Sequence, residues 1–307
     1  MNIVFAADNN YAAYLCVAAK SVETAHPDTA IRFYVLDTGI SEANRAAVAA
    51  NLREDSSIRF ITVNSDDFST FPLNIKHISI TTYARLKLGE YIPDCDKVLY
   101  LDIDVLVKDS LKPLWETDLG DNCVGACIDL FIEETNKGYK QKIGMEAQEY
   151  YFNAGVLLIN LEKWRQNDIF KMSCEWVERY KDIMEYQDQD ILNGLFKGQV
   201  CYLNSRFNFM PTNYDFMVGG TVSENHDPLY RDRINAVMPV SICHYCGPEK
   251  QWLGHCRFLG AEQFGKLAAS LKTVPEEWKS KFSAPTIKQK FKRWRRRLSA
   301  KFLHGIY

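Results

Sequence analysis

The chain has 307 residues, 47% of them hydrophobic, 13% aromatic and 25% charged, which is enough apolar material for a sizeable core in one large domain or two small ones. That aromatic content excludes intrinsic disorder, and no run of about eighteen apolar residues exists to span a bilayer. The net charge of −2 hides an asymmetry: the segment from Pro285 onward carries eight Lys and Arg and no acid, against −10 for everything before it, which points to an anionic partner for the tail.

Short apolar runs at Ile3–Ala6, Ile31–Leu36, Ile58–Val63 and Val98–Leu101 predict strands. Between them, Tyr11–Ala25, Ser41–Leu52 and Thr82–Tyr91 read as helices, with Ser41 placed to cap the second. Strands spaced by helices of this length predict βαβ units and an α/β domain with a mostly parallel sheet, whose ligands sit beyond the carboxyl ends of the strands. Cys123–Ile128 and Phe152–Ile159 continue the strand pattern, followed by helical Trp164–Met184 and Asp190–Phe196. After Gly198 the chain is irregular and aromatic until an apolar run at Val237–Cys243. The sharp composition shift near Pro285 divides residues 1–284 from a tail, 285–307.

The opening residues, MNIVFAADNN, lack a basic region and reach an acid early, so no signal peptide is expected and the chain should stay in the cytoplasm. The nine cysteines are then expected as reduced thiols, several in the core. Cys243, Cys246, His255 and Cys256 imitate a zinc site, but the adjacent second pair would strain to chelate one ion.

Four places carry chemistry. The first strand ends in Ala6-Ala7-Asp8-Asn9-Asn10-Tyr11 without the glycines of a dinucleotide loop. Asp8, Asn10 and Tyr11 offer an acceptor, an amide and a stacking ring for a nucleobase; a helix cap with a packed tyrosine is the alternative. Asp102-Ile103-Asp104 follows a buried-looking strand. Two carboxylates inside an apolar run are costly unless a cation pairs with them; in extended chain both point to one side, and oxygen ligands favour Mg²⁺ or Mn²⁺ shared with phosphates. In His244-Tyr245-Cys246-Gly247-Pro248-Glu249-Lys250 the imidazole suits Mn²⁺, and the lysine suits a phosphate; alone this would be a surface loop. Finally, Tyr186-Gln187-Asp188-Gln189-Asp190 precedes a helix and is either ordinary capping or a set of hydrogen-bonding groups for a sugar.

Taken together, FAADNNY, ISITTYARLKLGEYIPDCDKVLYLDIDVLV, YFNAGVLLINL, EYQDQDILNGLF and HYCGPEK, in that order along the whole chain, resemble glycosyltransferase family 8. The resemblance implies a Rossmann-like, GT-A-type nucleotide-sugar-binding domain and a retaining enzyme that moves galactose from UDP-galactose to the terminal galactose of a lactose unit in lipooligosaccharide, working as a monomer. It implies Mn²⁺, with Mg²⁺ as substitute, on Asp102, Asp104 and His244. It places Ala6, Asp8, Asn10 and Tyr11 on the uridine, with Ile103 also on the donor and Gly247 and Lys250 on the phosphates. Arg85, Asn153, Asp188 and Gln189 would surround the galactose, and His77, Ile78, Asp129, Tyr186, Pro211, Thr212 and Cys246 the acceptor. Gln189, Asp190, Asp188 and Arg85 are the residues it implies for catalysis. Gln251 stands where the family usually has proline, which would stiffen the turn after Lys250.

An amide is a poor nucleophile, so attack from the leaving-group face is expected over a covalent intermediate on Gln189 or Asp190. At helical spacing Ile287, Phe291, Trp294, Leu298 and Phe302 form an apolar stripe among the basic groups of the tail, the pattern of an interfacial helix on the anionic inner leaflet. A nucleic-acid arm is disfavoured because the acidic body offers no second basic patch. The rival functions are a glucosyltransferase of the same family, a nucleotidyltransferase and a non-catalytic glycan-binding protein.

Overall fold

The computed structural model describes residues 1–72, 80–213, 217, 221, 223–254, 256, 258, 260–282, 286–291 and 294–295. The first expected strands form β1 (Asn2–Ala7), β2 (Arg32–Asp37), β3 (Ser57–Thr62) and β4 (Lys97–Leu101). They are joined by helices that include α1 (Ala12–Ala25) and α2 (Glu42–Ala50), and the Ser41 hydroxyl caps α2 by accepting from the Asn44 N–H. β5 (Val105–Val107), β6 (Val124–Ile128), β7 (Phe152–Asn160), β8 (Val200–Leu203) and β9 (Ile242–His244) complete the strands.

Seven of them make one sheet in the order β3-β2-β1-β4-β7-β6-β8, and β5 pairs with β9 in a second, two-stranded sheet. Within the large sheet only β7 runs against its neighbours. Alternation along the strands supplies both faces with apolar side chains. Ile3, Phe5, Leu99 and Leu101 pack on α1 and α2 residues, whereas Val4 and Tyr100 pack on Tyr83, Trp164 and Ile191 on the other side.

Three departures from the periodicity shape the crevice beyond these strands. Residues Ile80–Lys87 form a 3₁₀ helix rather than an α-helix, and since i and i+3 eclipse in that geometry, Thr82 and Arg85 lie on one side. The long helix expected over Trp164–Met184 is two, α3 (Leu161–Gln166) and α4 (Ile169–Tyr180). Asp168 takes a left-handed φ of 50° between them and caps α4 with its carboxylate, as a short polar residue can. Lastly, α5 (Gln187–Leu195) starts early, so Asp188 and Asp190 sit in its first turn rather than before it.

The ladder between β6 and β7 is irregular near the site. Between the pairs Ala126↔Leu157 and Ile128↔Phe152, two steps along β6 oppose five along β7. Asn153, Ala154 and Gly155 therefore bulge out of register at the end of the sheet where β1 and β4 finish.

Candidate active site

β1 and β4 are parallel neighbours, and the chain leaves them in different directions, which opens a crevice at their carboxyl ends. Asp8 follows β1 and Asp102 follows β4. Residues 103–104 form a turn rather than extended chain, because β4 and β5 belong to different sheets. The two carboxylates thus converge across a bend, not by strand alternation. β9 pairs Val105 with His244 and brings the imidazole to them: Nε2 lies 3.2 Å from Asp104 Oδ1 and 3.8 Å from Asp102 Oδ2. Ligand atoms of Asp102, Asp104 and His244 all fall within 4.8 Å of one another, the one such metal-competent group among the described residues. No cysteine joins one there, all nine being free thiols, while His255 lies outside the described residues. Gly155 makes room for the trio, since a Cβ there would stand 2.2 Å from His244 Cε1 and 2.8 Å from Asp102 Oδ2. Two carboxylates and an imidazole with a cleared space between them fit a hard or borderline divalent ion.

Each carboxylate also has a cation. The Arg85 guanidinium donates to Asp102 Oδ1 at 2.9 Å and to the Ala154 carbonyl at 2.6 Å, and pairs with Asp188 Oδ2 at 3.0 Å. It stacks over the Tyr100 ring, 4.1 Å from its centroid, and the Tyr100 hydroxyl donates to the same Asp102 oxygen. Thr82, eclipsing Arg85 on the 3₁₀ turn, donates to Asp188 Oδ1 at 2.6 Å. Burial still pushes the Asp188 carboxyl up to about 6, against the pull of Arg85 and Thr82. Lys250 donates to Asp104 Oδ2 and to the Tyr245 carbonyl. Burial alone would raise Asp104, but Lys250 and His244 outweigh it and hold that carboxyl well below the usual range.

The sugar-facing candidates form one hydrogen-bonded set. Gln189 accepts from the Ala154 N–H and donates to Asp129 Oδ2, which also receives the Asn153 amide at 3.0 Å. Asp190 is separate from them: it is fully buried, and its oxygens accept from the Tyr139 and Tyr151 hydroxyls and the Glu185 and Tyr186 N–H groups. Its carboxyl is raised by burial and partly lowered again by those two tyrosines.

At the end of β1, the Asp8 carboxylate accepts from the Asn10 and Tyr11 N–H groups, and the Asn10 carbonyl accepts from Lys281. Tyr11 begins α1, yet its ring stays 39% exposed, edge-on to Tyr14 and Trp252. The segment is thus a helix start, and its tyrosine ring is exposed rather than packed. Ala6 and Ile103 are buried beside the crevice. Gly247 faces Thr212, whose methyl would stand 3.2 Å from a Cβ there, while Pro211 is buried and Cys246 exposed next to them. Tyr186 accepts from the Asn136 amide and lies edge-on to the exposed Phe131. His77 and Ile78 lie outside the described residues.

A family model for glycosyl transferase family 8 matches residues 2–256. The chain belongs to glycosyl transferase family 8. Over 97% of its length this family 8 enzyme is 39% identical to a Haemophilus influenzae relative named only as a glycosyltransferase, covering 88% of that protein. Over 82% of its length it is 26% identical to a lipopolysaccharide 1,3-galactosyltransferase of Salmonella typhimurium, covering 72% of it. Among solved structures it is similar to the galactosyltransferase LgtC in complex with donor and acceptor sugar analogues, with 75% identity, a TM-score of 0.88, and coverage of 92% of this chain and all of the other. A second structure of LgtC carries an active-site Gln-to-Glu substitution.

Sequence reasoning gave no role to Tyr100, Thr82, Gly155, Asn208 or Trp252. A glycine inside the strand pattern FNAGVLLIN was a usable sign of close approach. Thr82, Asn208 and Trp252 meet partners far away in the chain and leave no local signal.

Proposed function

We propose that this family 8 enzyme is a retaining α-1,4-galactosyltransferase that moves galactose from UDP-galactose to the terminal galactose of a lactose unit on lipooligosaccharide, with one chain as the working unit. The observation that carries the reading is the convergence of Asp102, Asp104 and His244 beside Arg85 and Lys250 in a chain 75% identical to a galactosyltransferase crystallised with donor and acceptor analogues. Asp102, Asp104 and His244 would hold Mn²⁺, or Mg²⁺ in its place, which supplies positive charge against the donor diphosphate.

The chain's own groups do the rest. Lys250 stabilises negative charge on the departing UDP, and Asp8, Asn10 and Tyr11 hold the uridine. Asp188 and Gln189 present a carboxylate and an amide to the galactose ring, where positive charge develops at C1, and Arg85 fixes Asp188 in place. Asp129, Tyr186, Pro211, Thr212 and Cys246, with His77 and Ile78, form the acceptor side. Because the Asp190 oxygens are taken up by two tyrosines and two backbone N–H groups, the arrangement supports attack from the leaving-group face. The C1–phosphate oxygen bond breaks, the acceptor O4 bonds to C1 on that face, and its proton passes to the freed phosphate oxygen.

The tail would seat the enzyme on the inner face of the cytoplasmic membrane. Among the described residues no helix is long and apolar enough to cross one. Thr286 and Gln289 form a reciprocal capping box, and Ile287, Phe291 and Trp294 are exposed, which suits interfacial docking; Leu298 and Phe302 lie outside the described residues. Deleting residues 285–307 should abolish binding to anionic liposomes and spare transfer to soluble lactose; loss of both activities would refute this division.

The decisive assay mixes the protein with Mn²⁺, lactose and either UDP-galactose or UDP-glucose and reads the product linkage by NMR. An α-galactose on O4 of the lactose galactose is expected. Turnover with UDP-glucose alone would make it a glucosyltransferase, and tight UDP binding without transfer would overturn the acceptor.

A further inference from the structure

Beyond the metal trio, a chain of buried amides leads to the imidazole. Asn208 lies in the irregular stretch after β8, is fully buried, and hydrogen-bonds to Asn153 and His244. Its Oδ1 stands 2.9 Å from His244 Nδ1, and its Nδ2 donates to Asn153 Oδ1 at 2.9 Å. The direction of every bond in this chain follows from its far end. Asp129 Oδ2 can only accept, so Asn153 turns its Nδ2 to it. That leaves Asn153 Oδ1 to accept from the Gly155 N–H, at 3.0 Å, and from Asn208. Asn208 must then show its oxygen to His244, so the proton sits on Nδ1. Nε2 is left to face Asp102 and Asp104, as a donor to Asp104 while no ion is bound and with its lone pair once a cation takes that proton's place.

We propose that Asn208 is a positioning residue that fixes the tautomer of His244 through this relay and ties the metal trio to Asp129, the carboxylate that also holds Gln189. This rests on the reading of His244 as a metal ligand. The outer partner of a ligating imidazole sets its orientation and which nitrogen is free to bind. Here that partner is an amide whose own orientation is set by a carboxylate and a backbone N–H.

Two measurements test it. The first uses the wild type, free of metal at pH 8.5, with ¹⁵N-labelled histidine and the His244→Gln variant for assignment. His244 should show a protonated Nδ1; an unprotonated Nδ1 overturns the proposal even if no Asn208 variant folds. The second measures Mn²⁺ affinity by calorimetry. Asn208→Ala should bind about 10–100-fold more weakly than the wild type, and Asn208→Asp, which still accepts from Nδ1, should recover most of that loss. Wild-type affinity in Asn208→Ala, or equal losses in both variants, overturns the role. A wild type that binds no Mn²⁺ yet keeps Nδ1 protonated would instead sink the metal reading while upholding the tautomer.

Discussion

Arg85 and Lys250 each neutralise one carboxylate of the Asp102–Asp104 pair, but they sit in different surroundings. The Arg85 side chain is 5% exposed and is held by Asp102, Asp188, the Ala154 carbonyl and the Tyr100 ring. Lys250 is 25% exposed and rests on Asp104 and one carbonyl of its own loop. A planar guanidinium with fixed donors can be part of the framework, whereas a lysine on a flexible stem can follow a charge that appears during reaction. The contrast teaches that the Arg85 half of the crevice is built as core and the Lys250 half as loop.

The sharpest way to break this comparison is to remove both cations separately. Arg85→Met should lower stability by about 3–5 kcal/mol, as loss of one partner from a buried pair does. Lys250→Met should cost about 1–3 kcal/mol, as loss of one partner of a charged hydrogen bond does, while slowing turnover ~10²-fold, as loss of one transition-state donor does. Urea melts and initial rates of both variants would show it; equal stability losses would erase the distinction.

Next in size is a pH effect confined to the core-like half. Folded Asp188 holds its proton up to about 6, against an ordinary value of 3.8. Between those values the native state binds more protons than the unfolded one, so this group's contribution is present at low pH and is lost as pH rises through 6. The loss is about 3 kcal/mol across the window. Asp188→Asn should therefore have a flatter stability curve between pH 4 and 7, measured by urea unfolding in chelator.

Gly155→Ala should be smaller again: the methyl pushes on His244 and Asp102, and Mn²⁺ affinity should fall about 10–100-fold, the range for disturbing what orients a metal ligand, with titration calorimetry as the check. The smallest effect belongs to the loop half. Gln251 is buried, and neither amide atom is hydrogen-bonded among the described residues, so Gln251→Leu should raise stability by about 1 kcal/mol, read as a shift in urea midpoint.

The features legible in advance divide along the same line. The strands and the Asp102–Asp104 pair announced themselves because apolar runs and clustered acids are local patterns. His244 gained meaning only beside that pair, through the family resemblance. The geometry joining them was hidden: the bend at 103–104 comes from a change of sheet, and the 3₁₀ turn at Ile80–Lys87 shows in no period. The partners of Asp190 were equally hidden: successive helical residues face different ways, and its oxygens meet Tyr139 and Tyr151. Asn208 sits in RFNF, where nothing nearby betrays a contact with His244.

The irregular pairing of β6 with β7 has a consequence for how such an enzyme can diversify. Asn153, Ala154 and Gly155 do three different jobs in consecutive positions, receiving Asn208, receiving Arg85, and leaving space for His244. A deletion or insertion of one residue there would hand each job to the wrong side chain at once. Lineages descended from this architecture can thus drift at that spot by exchanging side chains but not by changing length.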